Sequence, residues 1–216
     1  MNKKKSRIRI SGFKLTQILL CLFIAAGFAS CKHENAHWAY GGDSGPEQWG
    51  DLELIKNIAN LRIQLDEEEI QEMRNTAKIT KRAHVAAMKA TKIGTTEMHV
   101  ASVFHQIIAS EGLCTAYDSI VTVDGHILHN FHYYNQLKDG QLLLLDGGAE
   151  AQSGYATDVT RTWPVNGVFS TQQRRAYQAV LKAQKEAIKQ VRIGVRYRDV
   201  HWTACRILTE VLIEEG

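Results

Sequence analysis

Leu142-Leu143-Leu144-Leu145-Asp146-Gly147-Gly148-Ala149-Glu150, followed by Asp158-Val159-Thr160-Arg161-Thr162-Trp163-Pro164, decides how this chain is read. Four leucines in a row read as a buried strand, which carries Asp146 to a strand end where a core element meets a cavity. Tyr155 to Thr162 is rich in Thr, Tyr and Val and can return as the neighbouring strand, with the Gly154 region as the turn. That arrangement sets Asp158 opposite Asp146. Two like charges so placed repel unless they share a proton or a cation, and hard divalent metals take carboxylate oxygens for this reason. The competing reading is a pair of turn aspartates, one of them bound to Arg161, since turns are where Asp is commonest.

From about Leu54 to Gly216 the chain resembles the pita-bread metallopeptidases: methionine aminopeptidase, Xaa-Pro aminopeptidase and prolidase. The matching stretches are Leu128-His129-Asn130, Leu142 to Glu150, Asp158 to Ser170 and the helix Gln173 to Gly194. Asp-Val-Thr-Arg-Thr followed by Pro and Gly-x-Phe is most similar to the Xaa-Pro aminopeptidase branch. The resemblance implies an α+β fold, an incomplete pita-bread domain holding the first half plus the helix pair of the second. It also implies that Asp146 binds one metal of a pair, that Asp158 bridges both, and that His129 is a catalytic histidine near the substrate. In the complete family enzyme two divalent ions, most often manganese, serve hydrolysis of a peptide with proline at its second position.

The net charge of +3 hides an asymmetry. Lys3, Lys4, Lys5, Arg7, Arg9 and Lys14 precede residue 31 with no acid among them, so the remainder carries 3 − 6 = −3. No basic stripe is left for nucleic acid. Residues 1–31 form a separate unit: a basic start, an apolar run from Ile18 to Phe28, then Ala29-Ser30-Cys31. This is the layout of a secretory signal, and small residues before Cys31 resemble a bacterial lipoprotein cleavage site. Cys31 is then the lipidated residue and the expected location is the bacterial cell envelope, anchored in the membrane. The alternatives are an uncleaved anchor helix and a cytoplasmic enzyme carrying a fused segment. Cys114 and Cys205 make no disulfide framework and read as buried small hydrophobes.

Residues 32–52 have no helical period, and the string from His37 to Leu52 resembles the N-terminal segment of alpha-class carbonic anhydrases. No His-x-His pair with a distant third histidine follows, and His33 and His37 are too few for a closed zinc site. The metallopeptidase-like region therefore runs over residues 53–216. Its first helix starts at Asp66-Glu67-Glu68-Glu69, presents Ile70, Met73 and Ala77 as its apolar side, and stops at Gly94. Val100, Val103, Phe104, Ile107 and Ile108 mark a second helix ended by Gly112. A third pattern runs from Thr171 to Arg192, and Val200, Ala204, Ile207, Leu208 and Val211 mark a fourth.

This order repeats. Ile93-Gly94 and the stripe from Val100 return one hundred residues later as Ile193-Gly194 and the stripe from Val200. The first helix pair is followed by strands carrying His129, Asp146 and Asp158, and the second by none. The resemblance places one further histidine ligand and two glutamate ligands on that second set of strands, so two of five ligands are expected here. Glu210, Glu214 and Glu215 read as helix surface. His129 lies seventeen residues before Asp146, with His126 and His132 read as exposed neighbours. Arg161 is expected to orient a carboxylate, Asp158 or Glu150, through its planar fork. The favoured function is an impaired dinuclear-metal aminopeptidase. A catalytically silent lipid-anchored fragment or binding protein is second, and a carbonic anhydrase-related lipoprotein third. Self-association into a homo-oligomer is expected from uncovered apolar surface.

Overall fold

Helix starts are written in the side chains that precede them. The computed structural model describes residues 52–214. Helix α1 (Leu52–Ile63) buries none of its residues. Helix α2 (Glu67–Ala90) opens on a reciprocal cap: Asp66 accepts from the Glu69 amide at 2.8 Å, and Glu69 accepts from the Asp66 amide at 2.7 Å. Thr96 caps α3 (Glu97–Ser110), and a second reciprocal cap, Ser170 with Gln173, opens α4 (Thr171–Gln190). The last helix is α5 (Tyr197–Glu214). Among the described residues no helix is long and apolar enough to cross a membrane.

Between α3 and α4 lie five short strands: β1 (Cys114–Thr115), β2 (Ile120–Thr122), β3 (Leu142–Asp146), β4 (Ala149–Glu150) and β5 (Thr160–Pro164). They form an antiparallel sheet in the order β2-β3-β5 and a separate pair β1-β4. The four leucines sit in the central strand, with Leu143 and Leu145 fully buried, each stabilising by about 1.5–3 kcal/mol. Against them pack Val100, Phe104 and Ile108 of α3, Ala83 and Ala87 of α2, and Val121, Leu137 and Val165. A second core, Ala179, Ala183, Ala204, Ile207 and Leu208, joins α4 to α5 alone.

The expected repeat is present as two helical hairpins, α2–α3 and α4–α5. Each turns through a glycine with φ of 87°, Gly94 and Gly194, in the left-handed region that favours glycine. Helix α2 ends at Ala90 rather than running to Gly94, because Thr91 turns extended and its amide closes the last turn on Ala87 and Met88.

Several expectations need correction. The buried side of α2 is Thr76, Thr80, Ala83, His84 and Ala87, while Met73 and Ala77 face solvent. Hydropathy selected the wrong face because the inward polar groups are hydrogen-bonded rather than excluded. The return from the Gly154 turn first meets Glu150 through Ala156, and joins β3 only from Thr160. Thr160 is therefore the residue opposite Asp146, and Asp158 precedes the strand by two residues. Cys114 is exposed, because β1 is a two-residue edge that pairs only with β4, and Cys205 is half-buried. The signal-like residues 1–31, Cys31 and residues 32–51 lie outside the described residues; Leu52, assigned to the irregular segment, begins α1.

Candidate metal centre

Tyr117 brings the two aspartates together. It stands in the link from β1 to β2, and its hydroxyl lies 2.8 Å from Asp146 Oδ1 and 2.9 Å from Asp158 Oδ1. A phenol has one proton to donate, so it satisfies one carboxylate oxygen at a time. The remaining short oxygen–oxygen contact calls for a second proton or a cation. Burial first, and then the neighbouring Asp158, raise the Asp146 carboxyl above its ordinary value, while hydrogen bonds from Tyr117 and Thr160 oppose the rise. Burial and the same two carboxylates push the Tyr117 phenol up, so it stays protonated as a donor.

Two carboxylate oxygens converging on one hydroxyl are the donor set a hard divalent cation prefers. The fit is partial. Among the described residues no group of three or more His, Cys, Asp or Glu side chains is arranged to hold a metal. Asp146 and Asp158 are the residues that would hold one.

The Asp146-Gly147-Gly148 turn is pressed from three sides. A Cβ on Gly147 would lie 2.8 Å from the Phe104 ring, and one on Gly148 would lie 1.7 Å from the Thr157 carbonyl oxygen. No real Cβ makes such contacts, so this turn requires glycine twice. From α2, His84 Nε2 sits 3.1 Å from the Gly147 carbonyl. Burial holds the His84 imidazole below its ordinary pKa, which keeps it neutral at physiological pH.

His129 lies in the 124–134 loop, exposed, with φ of 54° and its ring stacked on Phe131 at 6.1 Å. That stack is its described contact, and no hydrogen bond joins it to either carboxylate among the described residues. His126 and His132 are exposed, and His132 stacks on Tyr134 at 5.2 Å. Glu97, fully buried at the first turn of α3, ties both ends of this loop. It accepts from Val123 N at 2.8 Å, Asn135 N at 3.0 Å and Asn135 Nδ2 at 3.0 Å.

Arg161 does not pair with Asp158 or Glu150. Its guanidinium donates to the Thr160 carbonyl at 2.8 Å and is otherwise exposed. The reason is strand alternation: Arg161 pairs with Leu145, one residue off the Asp146–Thr160 pair, and so points to the opposite face. Trp163 and Pro164 end β5 as expected, the indole donating to Thr91 at 3.1 Å. Glu210 and Glu214 are exposed helix residues. Sequence reasoning missed Tyr117, Thr80, His84 and Glu97. For α2 a signal existed in Thr76, Thr80 and His84 at four-residue spacing, but Tyr117 is a loop residue with no pattern around it.

Xaa-Pro aminopeptidase 1 of Streptomyces coelicolor is 35% identical over 170 residues, spanning 77% of this chain and 35% of that enzyme. Xaa-Pro aminopeptidase of Haemophilus influenzae is 35% identical over 184 residues, 78% of this chain and 43% of that enzyme. Among solved structures, zinc-substituted Escherichia coli aminopeptidase P in complex with product superposes with a TM-score of 0.69 at 34% identity. That match covers 71% of this chain and 36% of that one. Pseudomonas aeruginosa aminopeptidase PepP gives 0.70 at 33% identity, covering 72% and 36%. The chain thus spans between a third and a half of the length of these relatives. The fold is α+β, a partial pita-bread domain, and residues 71–215 match the model of metallopeptidase family M24, to which this chain belongs.

Proposed function

We propose that Asp146 and Asp158 are the carboxylate part of a dinuclear metal site in an aminopeptidase of the Xaa-Pro type. Such an enzyme releases the amino-terminal residue of peptides whose second residue is proline. One observation carries this reading: a single Tyr117 hydroxyl lies within hydrogen-bond distance of both carboxylates. A divalent pair, manganese by preference, supplies Lewis acidity when bound. Of the chain's own residues, Tyr117 would hold the carboxylates at one point, Thr160 would hydrogen-bond Asp146, and His129 is the one we assign to the substrate. Asp146 and Asp158 supply two carboxylates toward the about six donors a hard cation takes.

Manganese titrated calorimetrically into the chain is expected to bind, and Asp146→Ala or Asp158→Ala to abolish the heat. Unaltered manganese binding in Asp158→Ala would overturn the assignment. The location we propose is the bacterial cell envelope, through lipidation of Cys31. Mass spectrometry of the expressed chain tests it, and an intact Met1 without lipid on Cys31 refutes it.

A further inference from the structure

The inward face of α2 is polar where a core helix is ordinarily apolar, and it meets the turn between the two carboxylates. Thr80 is 0% and His84 3% exposed. The hydroxyls of Thr80 and Thr157 lie 2.7 Å apart, and both stand 3.1 Å from the Ala149 amide. His84 Nε2 reaches the Gly147 carbonyl, and the Gly147 amide donates to Val159 O at 3.1 Å. The Thr157 amide donates to Ala149 O at 2.9 Å. Asp146 is therefore followed directly by a turn that α2 grips, and Asp158 is flanked on both sides by residues bonded to that turn, Val159 to Gly147 and Thr157 to Ala149.

Resting on the reading of Asp146 and Asp158 as a cation site, we propose that the Thr80–His84 step of α2 is a positioning device for them. It fixes the separation and aim of the two carboxylates by gripping the peptides beside them. The chemistry of His84 favours this role over packing. To donate to Gly147, the imidazole must carry its proton on Nε2, which leaves Nδ1 buried with no partner, edge-on to Phe104 at 5.1 Å. An aliphatic side chain would fill the space without stranding that nitrogen. What His84 alone adds is a donor aimed at Gly147. The turn has no slack with which to relax away, because Phe104 and the Thr157 carbonyl close the space at Gly147 and Gly148.

The test uses the full chain and two readouts. In the metal-free protein, His84→Leu is expected to speed amide hydrogen exchange at Gly147 and Ala149 at least tenfold. His84→Gln places an amide donor near the Nε2 position and should restore protection to within threefold. Unchanged exchange in His84→Leu, or loss in His84→Gln equal to that in His84→Leu, overturns the proposal whether or not a cation binds. Should His84→Leu not fold, Thr80→Val against Thr80→Ser reports the same grip through Ala149, with Val exposed to exchange and Ser protected. The second readout is terbium(III), a hard cation whose emission Tyr117 would sensitise. His84→Leu should raise its half-saturating concentration at least tenfold, while Ile108→Ala, which removes packing from the same core but no hydrogen bond to the turn, should stay within threefold. Equal shifts in these two variants would reduce His84 to a packing residue. Asp146→Asn and Asp158→Asn titrating terbium like the wild type would sink the cation-site reading alone, leaving the exchange result to decide the grip.

Discussion

Removing the Glu97 carboxylate should cost the domain a large share of its stability. Glu97 is fully buried and accepts three hydrogen bonds, two of them from the backbone amides of Val123 and Asn135 at the ends of the 124–134 loop. Glu97→Ala strands all three donors. Each unsatisfied buried donor costs about 1–3 kcal/mol, but these bonds are only part-buried on the loop side, so entering water recovers some of the loss. The expected destabilisation is about 3–5 kcal/mol, the sum for three stranded donors discounted for that access to water. Glu97→Gln keeps one acceptor oxygen and turns an amide towards a donor, for about 1–2 kcal/mol. Urea unfolding with an unchanged m-value measures the loss, and amide exchange at Val123 and Asn135 localises it. A Glu97→Ala midpoint within about 1 kcal/mol of wild type, with both amides still protected, would refute the claim that this carboxylate holds the loop.

Gly148→Ala should cost about 3 kcal/mol or prevent folding, because its Cβ would lie 1.7 Å from a backbone oxygen; a soluble variant with a wild-type melting midpoint would contradict this. Asp146, with its folded carboxyl raised by burial, binds its proton more tightly folded than unfolded. Its contribution is full below the ordinary aspartate value and is lost as pH rises through the raised folded value. Asp146→Asn should remove that falling slope in metal-free melts, and an unchanged slope would be evidence against it. His84 and His105 are both lowered by burial, so the folded state releases their protons first and stability rises with pH from the lowered values up to the ordinary imidazole value. His105→Gln should flatten this acid-side slope and leave stability at pH 8 nearly unchanged, read from urea midpoints. Tyr117→Phe removes a hydrogen bond that holds the Asp146 carboxyl down, so the Asp146 carboxyl carbon resonance should titrate at higher pH than in wild type.

The strand carrying Asp146 was legible because a run of four leucines, three of them buried and on both faces, fits a central strand. Both helical hairpins were legible too, since a glycine that takes a left-handed turn, Gly94 or Gly194, stands between the two helices of each. The face of α2 was not. Thr76, Thr80 and His84 count as polar on any hydropathy scale, and only three-dimensional partners such as Thr157 and Gly147 make them interior groups. Arg161 illustrates a second limit: its role depended on register, and a shift of one residue in the pairing of β5 with β3 exchanges the two faces. Tyr117 lay beyond reach for a third reason. It meets Asp146 and Asp158 across 29 and 41 residues of chain, and nothing local encodes such a contact.

The α4–α5 hairpin keeps its own core of Ala179, Ala183, Ala204, Ile207 and Leu208, apart from the one beneath the leucine strand. Two cores joined by a short loop need not melt as one. The three alanines let the helices approach closely but contribute little apolar area, so the hairpin is the cheaper of the two units to open. On heating it should unzip first, while the turn carrying the two carboxylates stays assembled. Damage to the hairpin would then register as early loss of helix signal with the tyrosine environment around Asp146 intact, and the two units would age, digest and refold on separate clocks.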